Sequence, residues 1–121
     1  KLKNIHFYKL NNSNISSLEP LFRKSLTDLS HLDIYDVSIL LSKFDLIVST
    51  DTVFAHLCGI LNIKCVLLLS KNSDWRWFDD HKKTVWYKSI RIDKQKKLDD
   101  WDKIISLINR FLRLKSYTKN I

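Results

Sequence analysis

The sequence predicts an α/β fold in which a parallel sheet is flanked by helices, and three observations lead there. Short apolar segments recur along the chain up to residue 92. Two of them, DLIVS at 45–49 and KCVLLL at 64–69, are continuously apolar, as strands covered on both faces are, whereas a half-exposed strand alternates. Segments with helical spacing lie between them, and strands joined by helices return parallel.

Residues 5–10, IHFYKL, make the first strand, which ends in the polar turn Asn11-Asn12-Ser13-Asn14. Ser16 or Ser17 is expected to cap the following helix. Pro20 is tolerated in its first turn, where the N–H that proline lacks has no helical partner. Residues 26–29 make a brief second strand. Asp33 should cap the next helix, because its carboxylate accepts the exposed N–H groups, and Ile34, Val37, Leu40, Leu41 and Phe44 share one apolar face. After the strand at 45–49 the chain turns through Thr50-Asp51-Thr52, without glycine or proline, into a helix over 52–61. That helix is apolar nearly all round, as expected of one wedged against a sheet, and holds Gly59, the only glycine.

The strand at 64–69 follows. SKNSDWRWFDDHKKTVWYKS at 70–89 has no clean period, and 89–92 makes a last short strand. From Leu98, the residues Trp101, Ile104, Ile105, Ile108, Phe111 and Leu112 keep helical spacing with polar residues opposite. One domain over 1–114 results, with 115–121 expected to fray as a tail.

The composition narrows the class. The 121 residues suit a single domain, and 45% hydrophobic residues with six Phe, four Trp and four Tyr supply a core, which excludes a disordered chain. No apolar run approaches the roughly 18 residues of a membrane span, and the N-terminus lacks the apolar core of a signal peptide. Cys58 and Cys65 fit neither a CxxC nor a zinc pattern and are expected to be reduced core residues in a cytoplasmic protein. The sequence lacks methionine and starts on Lys1, so it is expected to be a piece of a longer chain. His6, His31 and His81 have no partners at metal-ligand spacing. Asp99-Asp100-Trp101-Asp102 looks like a DxD metal motif, but these carboxylates open a helix, where the macrodipole favours negative charge. No metal is therefore expected.

Charge is uneven. Residues 1–60 carry six Lys/Arg and six Asp/Glu, residues 61–121 carry fifteen and seven, and the whole +8 falls in the second half. A basic surface favours anionic partners, among them nucleic acid, anionic lipid and phosphorylated substrates. Solvated lysines without a partner would give the same count.

In a parallel sheet the turns after the strands emerge at one edge, so Asn11-Asn12, Thr50-Asp51-Thr52 and the loop at 70–77 are expected to converge there, the usual ligand position in such folds. Neither GxGxxG nor a P-loop occurs. A phosphate would have to be held by the N–H groups and positive dipole of the helix that starts near Thr52. His56 lies one turn on and on the same face as Thr52, and Trp75-Arg76-Trp77 offers ring faces and a guanidinium suited to bidentate contact. Each has a plainer reading: Asp51 as an N-cap, His56 as a packed histidine, the Trp residues as loop anchors, and Trp86-Tyr87 and Trp101 as core.

DLIVSTDTVFAHLCGILNIKCVLLL, followed by DWRWFDDHKKTVWYKSIRI and Trp101, resembles the C-terminal domain of bacterial glycosyltransferase family 9, the heptosyltransferase-like proteins. It is most similar to the form often attached to tetratricopeptide repeats, with D-T-x-x-A-H-L-A-G-A-L and then D-W-R-W and W-Y. The resemblance covers residues 5–112. It implies a Rossmann-like domain, the C-terminal half of a GT-B glycosyltransferase, that binds a nucleotide-diphosphate sugar as donor substrate and needs neither metal nor cofactor. Asp51, Thr52 and the N–H of Val53 would then meet the diphosphate. The base would lie near Leu32, Trp75 and Arg76 would complete the donor site, and His56 and Arg76 would stabilise the leaving group. The acidic residue that contacts ribose in some members has no counterpart at 11–14, and Cys58 stands where alanine is usual.

The general base would come from an N-terminal acceptor domain, with or without repeats, so the chain alone is expected to be inactive. Peripheral contact with an anionic membrane at its inner face is a further expectation, and nucleic acid is not an expected partner. The alternative is a noncatalytic sugar-nucleotide or protein-interaction module. A small basic nucleic-acid-binding domain rests on the charge alone.

Overall fold

The computed structural model describes residues 5–18, 20–78 and 82–118. His81, the Asp79-Asp80 part of the tryptophan-rich segment and the tail end at 119–121 lie outside them. The chain is mixed α/β, with short parallel strands flanked by helices. In order it runs β1 (Phe7–Lys9), α1 (Pro20–Ser25), β2 (Leu26–Asp28), α2 (Ile34–Leu41), β3 (Ile47–Ser49), α3 (Val53–Ile60), β4 (Cys65–Leu69), a 3-10 turn (Trp75–Trp77), β5 (Ile90–Lys94) and α4 (Asp102–Thr118).

Local chemistry explains most boundaries. Pro20 opens α1, as its fixed φ allows. Ser16 and Ser17 lie in the turn before it and do not open the helix, a difference from the expected cap. Asp33 caps α2 by accepting the Asp36 N–H at 2.9 Å. At the end of α3, Asn62 adopts φ 55°. Its N–H donates to the Gly59 carbonyl at 3.2 Å, and the Ile63 N–H donates to the Cys58 carbonyl at 2.8 Å. This is the paired ending that satisfies the last carbonyls of a helix, and Asn is among the few residues besides Gly that tolerate it. α4 continues through Thr118, past the expected end of order at Leu114.

All strand pairings between named strands are parallel, but the single sheet expected from the sequence is divided. β1 pairs with β2, with Lys9 opposite Asp28, and β3, β4 and β5 form a separate three-stranded sheet. Closing the seam would give the doubly wound order β2-β1-β3-β4-β5, whose switch point lies between β1 and β3. Tyr8 of β1 packs on Phe44, in the loop before β3, at 5.1 Å between ring centroids.

The three-stranded sheet is covered on one face more than on the other. Ile47, Cys65, Leu67, Leu69, Ile90 and Ile92 share a face and are buried, with Val37, Leu41, Ala55, Cys58 and Trp77 packed in the same core. The opposite face carries Val48, which is 42% exposed, and an Arg91–Asp93 ion pair at 3.1 Å. The expected cover on both faces is thus only partial: on the second face Val66 and Leu68 are half-buried, and Leu68 shares the wall of a cavity with Ile108, Phe111 and Leu112 of α4. Cys58 and Cys65 are buried free thiols, as the sequence reading held. Their mutual hydrogen bond, and after it burial, raise the Cys65 thiol above its ordinary range.

Candidate functional site

The strand–turn–helix junction after β3 begins with Thr52, which has extended backbone angles (φ −141°, ψ 170°) and is the N-cap of α3. The Thr52 side chain makes no capping hydrogen bond to the helix. The Thr52 hydroxyl is bonded to the Ser49 hydroxyl at 3.0 Å. Asp51, the expected cap, lies one residue too early, and its Oδ1 is 3.7 Å from Nε2 of His56. The helix therefore opens at the carboxyl end of β3 with its first turn uncapped by Thr52. Asp51 and Val53 there are exposed.

Two different environments flank this opening. On the β1 side is a cavity of about 1080 Å3, just above the roughly 300–1000 Å3 usual for small-molecule pockets. It follows the seam between β1 and β3. Thr50 and Thr52 line it at the carboxyl end of β3, and Asn11 and Ser13 line it beyond β1. Leu68 of β4 and Ile108, Phe111 and Leu112 of α4 supply apolar wall. The rim is held by local bonds: the Ser13 hydroxyl donates to Asn11 Oδ1 at 2.9 Å, and Lys9 Nζ donates to the Ser13 carbonyl at 3.1 Å while pairing with Asp28 at 2.9 Å. Hydrogen bonds from Ser30 first, then from Lys9, hold the Asp28 carboxyl below the usual carboxylate range.

On the other side is a packed aromatic cluster. His56 stacks on Trp77 at 5.2 Å, and its Nδ1 lies 3.1 Å from the Tyr87 hydroxyl, whose ring meets the imidazole edge-on. Gly59, one turn after His56, faces the same ring: a Cβ there would come 2.3 Å from the Tyr87 ring. Only glycine allows this approach. Trp77 is 1% exposed, and its Nε1 has no hydrogen-bond partner among the described residues.

The expected site residues thus divide. Asp51, Thr52, Val53 and His56 sit together at the start of α3. Trp75 and Arg76 lie on the 3-10 turn, joined to α3 through the neighbouring Trp77. There Arg76 pairs with Asp74 at 2.8 Å and lies over the Trp75 ring at 5.3 Å, while the Trp86 indole N–H donates to the Arg76 carbonyl at 2.9 Å. Leu32 packs against the core, and Leu29 of the same segment lines the cavity. Of the residues read as core, Trp86 is 57% exposed, whereas Tyr87 packs against the core.

Sequence reasoning missed Trp77 and Tyr87 as the partners of His56, and Ser49 as the partner of Thr52. Gly59 carried the missing signal, since a lone glycine in a helical pattern marks a close approach. Comparison with models of known families, with curated proteins and with solved structures finds no match.

Proposed function

We propose that this chain binds a nucleotide-diphosphate sugar and serves as the donor-binding half of a metal-independent GT-B glycosyltransferase, the function its sequence resemblance implies. One observation carries the reading: an α3 start uncapped by Thr52 borders a cavity of about 1080 Å3 at the seam between β1 and β3. Helix N–H groups and the dipole attract phosphate, and an apolar cavity with a polar rim takes a base and ribose.

The geometry also refines the roles of the residues. A phosphate beside the Asp51 carboxylate would be repelled, so Asp51 suits sugar hydroxyls, which donate to it, and the open N–H groups of the first turn suit the diphosphate. His56, next to Asp51, belongs to the packed flank of the α3 start and does not line the cavity. Arg76 is paired with Asp74 and is not among the residues that line the cavity.

With no acceptor half to close the cleft, binding should be weak, with a Kd on the order of 0.1–1 mM. Titration with ADP, UDP and GDP, free and sugar-linked, followed by tryptophan fluorescence, tests this, with Asp51→Ala plus Thr52→Val as control. Saturable binding supports the reading, and the control should weaken the sugar-linked nucleotides more than the free ones. Absence of any response at millimolar nucleotide would favour a noncatalytic interaction module, and sugar transfer by the chain alone would place the general base within it.

A further inference from the structure

We propose that the inner length of the seam cavity holds a single aliphatic chain, acyl or isoprenoid, so that one ligand of this protein is a single-chain lipid whose polar head stays at an end of the cavity. The cavity runs beside β1 and β3 from one end of the strands to the other. Asn11, Thr50 and Thr52 mark its mouth, and His6, Lys43 and Asp45, which precede the strands, mark its far end. The stretch from Ile5 to Asn11 covers on the order of 20 Å at the rise of an extended chain.

Along this length the walls are apolar. Phe7 of β1, Leu26 of β2, Val48 of β3 and Ile108, Phe111 and Leu112 of α4 contribute to them. Polar side chains of the two strands are already engaged, Lys9 by Asp28 and the Ser13 carbonyl, and Ser49 by the Thr50 carbonyl and the Thr52 hydroxyl. The lining decides between ligand chemistries. A base or sugar drawn inward would bury polar edges against side chains that offer no partners, which is unfavourable. An aliphatic chain has no such edges, and each CH2 it buries favours binding. The base and ribose of the donor reading need the polar mouth, so nucleotide and chain use different parts of one cavity, and the inference does not rest on that reading.

Fluorescence titration of the whole chain with submicellar cis-parinaric acid tests this, followed by displacement with octanoate, dodecanoate, palmitate and farnesyl phosphate. Saturable binding is expected, with displacement by the fatty acids tightening about fourfold per added CH2 until the cavity is filled. Displacement by farnesyl phosphate alone would assign an isoprenoid chain, and by palmitate alone an acyl chain; either upholds the site. Val48→Phe and Ile108→Phe, which fill the cavity, should weaken parinaric acid binding about tenfold or more, while Ile39→Phe, exposed and off the cavity, should not. Methyl NMR shifts of the parent with palmitate are expected at Val48, Ile108 and Leu112, which decides the case even if the variants fail to fold. No binding, displacement by fatty acids that is indifferent to chain length, or shifts confined to exposed residues such as Ile60 and Val85 would overturn the proposal. Nucleotide binding by a chain that takes no lipid upholds the donor reading and sinks this one; lipid binding without any response to nucleotide does the reverse.

Discussion

The two flanks of α3 start from the same apolar sequence and end differently. Towards β5, the helix closes on Trp77 and Tyr87 with contacts tight enough to require a glycine. Towards β1, it borders a seam where two short sheets do not pair, and a cavity remains. Packed interiors leave few voids larger than a water molecule, so the loose flank has room for a ligand and the tight flank holds the side chain that would meet it.

The comparison is broken most directly on the tight flank. Trp77→Ala should cost about 3–5 kcal/mol by chemical denaturation, while Trp75→Ala, on the same turn but 70% exposed, should cost under about 1. Equal costs would mean that the cluster is not packed as described. Neighbouring leucines of β4 sharpen the contrast. Leu67 is fully buried, and its replacement by Ala should cost about 2–5 kcal/mol. Leu68 is half-buried on the cavity wall, so Leu68→Ala should cost no more than about 1–2 kcal/mol, because the atoms around it are already missing neighbours.

Gly59→Ala sets two effects against each other. Alanine gains about 1 kcal/mol of helix propensity, but its Cβ must displace the Tyr87 ring, and overpacking costs about 1–3 kcal/mol. The variant should be less stable than the parent and show altered His56 ring signals. A more stable variant would show that the Tyr87 ring does not lie on α3.

Much of the element order was legible because propensity and apolar spacing agree: Asp33 opens α2, and the apolar runs at 45–49 and 64–69 become β3 and β4. The division of the sheet was not. A β1–β3 ladder depends on backbone approach across the chain, and no residue type records it. Asp51, Thr52, Val53 and His56 lie together, as the sequence suggests, because neighbouring residues at a helix start must share a location. Tyr87 lies 31 residues from His56 and is joined to it only by the fold. Exposure differs within one Trp-Tyr pair because Trp86 reaches out to the Arg76 carbonyl and Tyr87 turns in to α3.

Smaller effects are expected at the helix opening and the tryptophan turn. Thr52→Val removes the bond to Ser49 and should cost about 1 kcal/mol in thermal or chemical unfolding. A cost well above that would mean that the hydroxyl holds more than Ser49. Asp74 accepts the Arg76 N–H at 3.0 Å, and that bond lowers its pKa. A carboxylate lowered on folding stabilises above its unfolded pKa and loses that contribution as pH falls through the folded value. The Trp86 and Arg76 amide signals should therefore stay in place from pH 7 to about 4 and move only below the usual carboxylate range. Movement between pH 5 and 4 would show that Asp74 is not held.

Backbone amide NMR during titration with UDP, ADP and GDP tests the central claim most directly. The open start of α3 and the seam beside it predict saturable shifts at Thr52, Val53 and Phe54, accompanied by Ser49 and Asn11, with smaller changes at Trp77 and Tyr87. Shifts confined to exposed basic residues such as Lys83, with none at Val53 or Phe54, would contradict it.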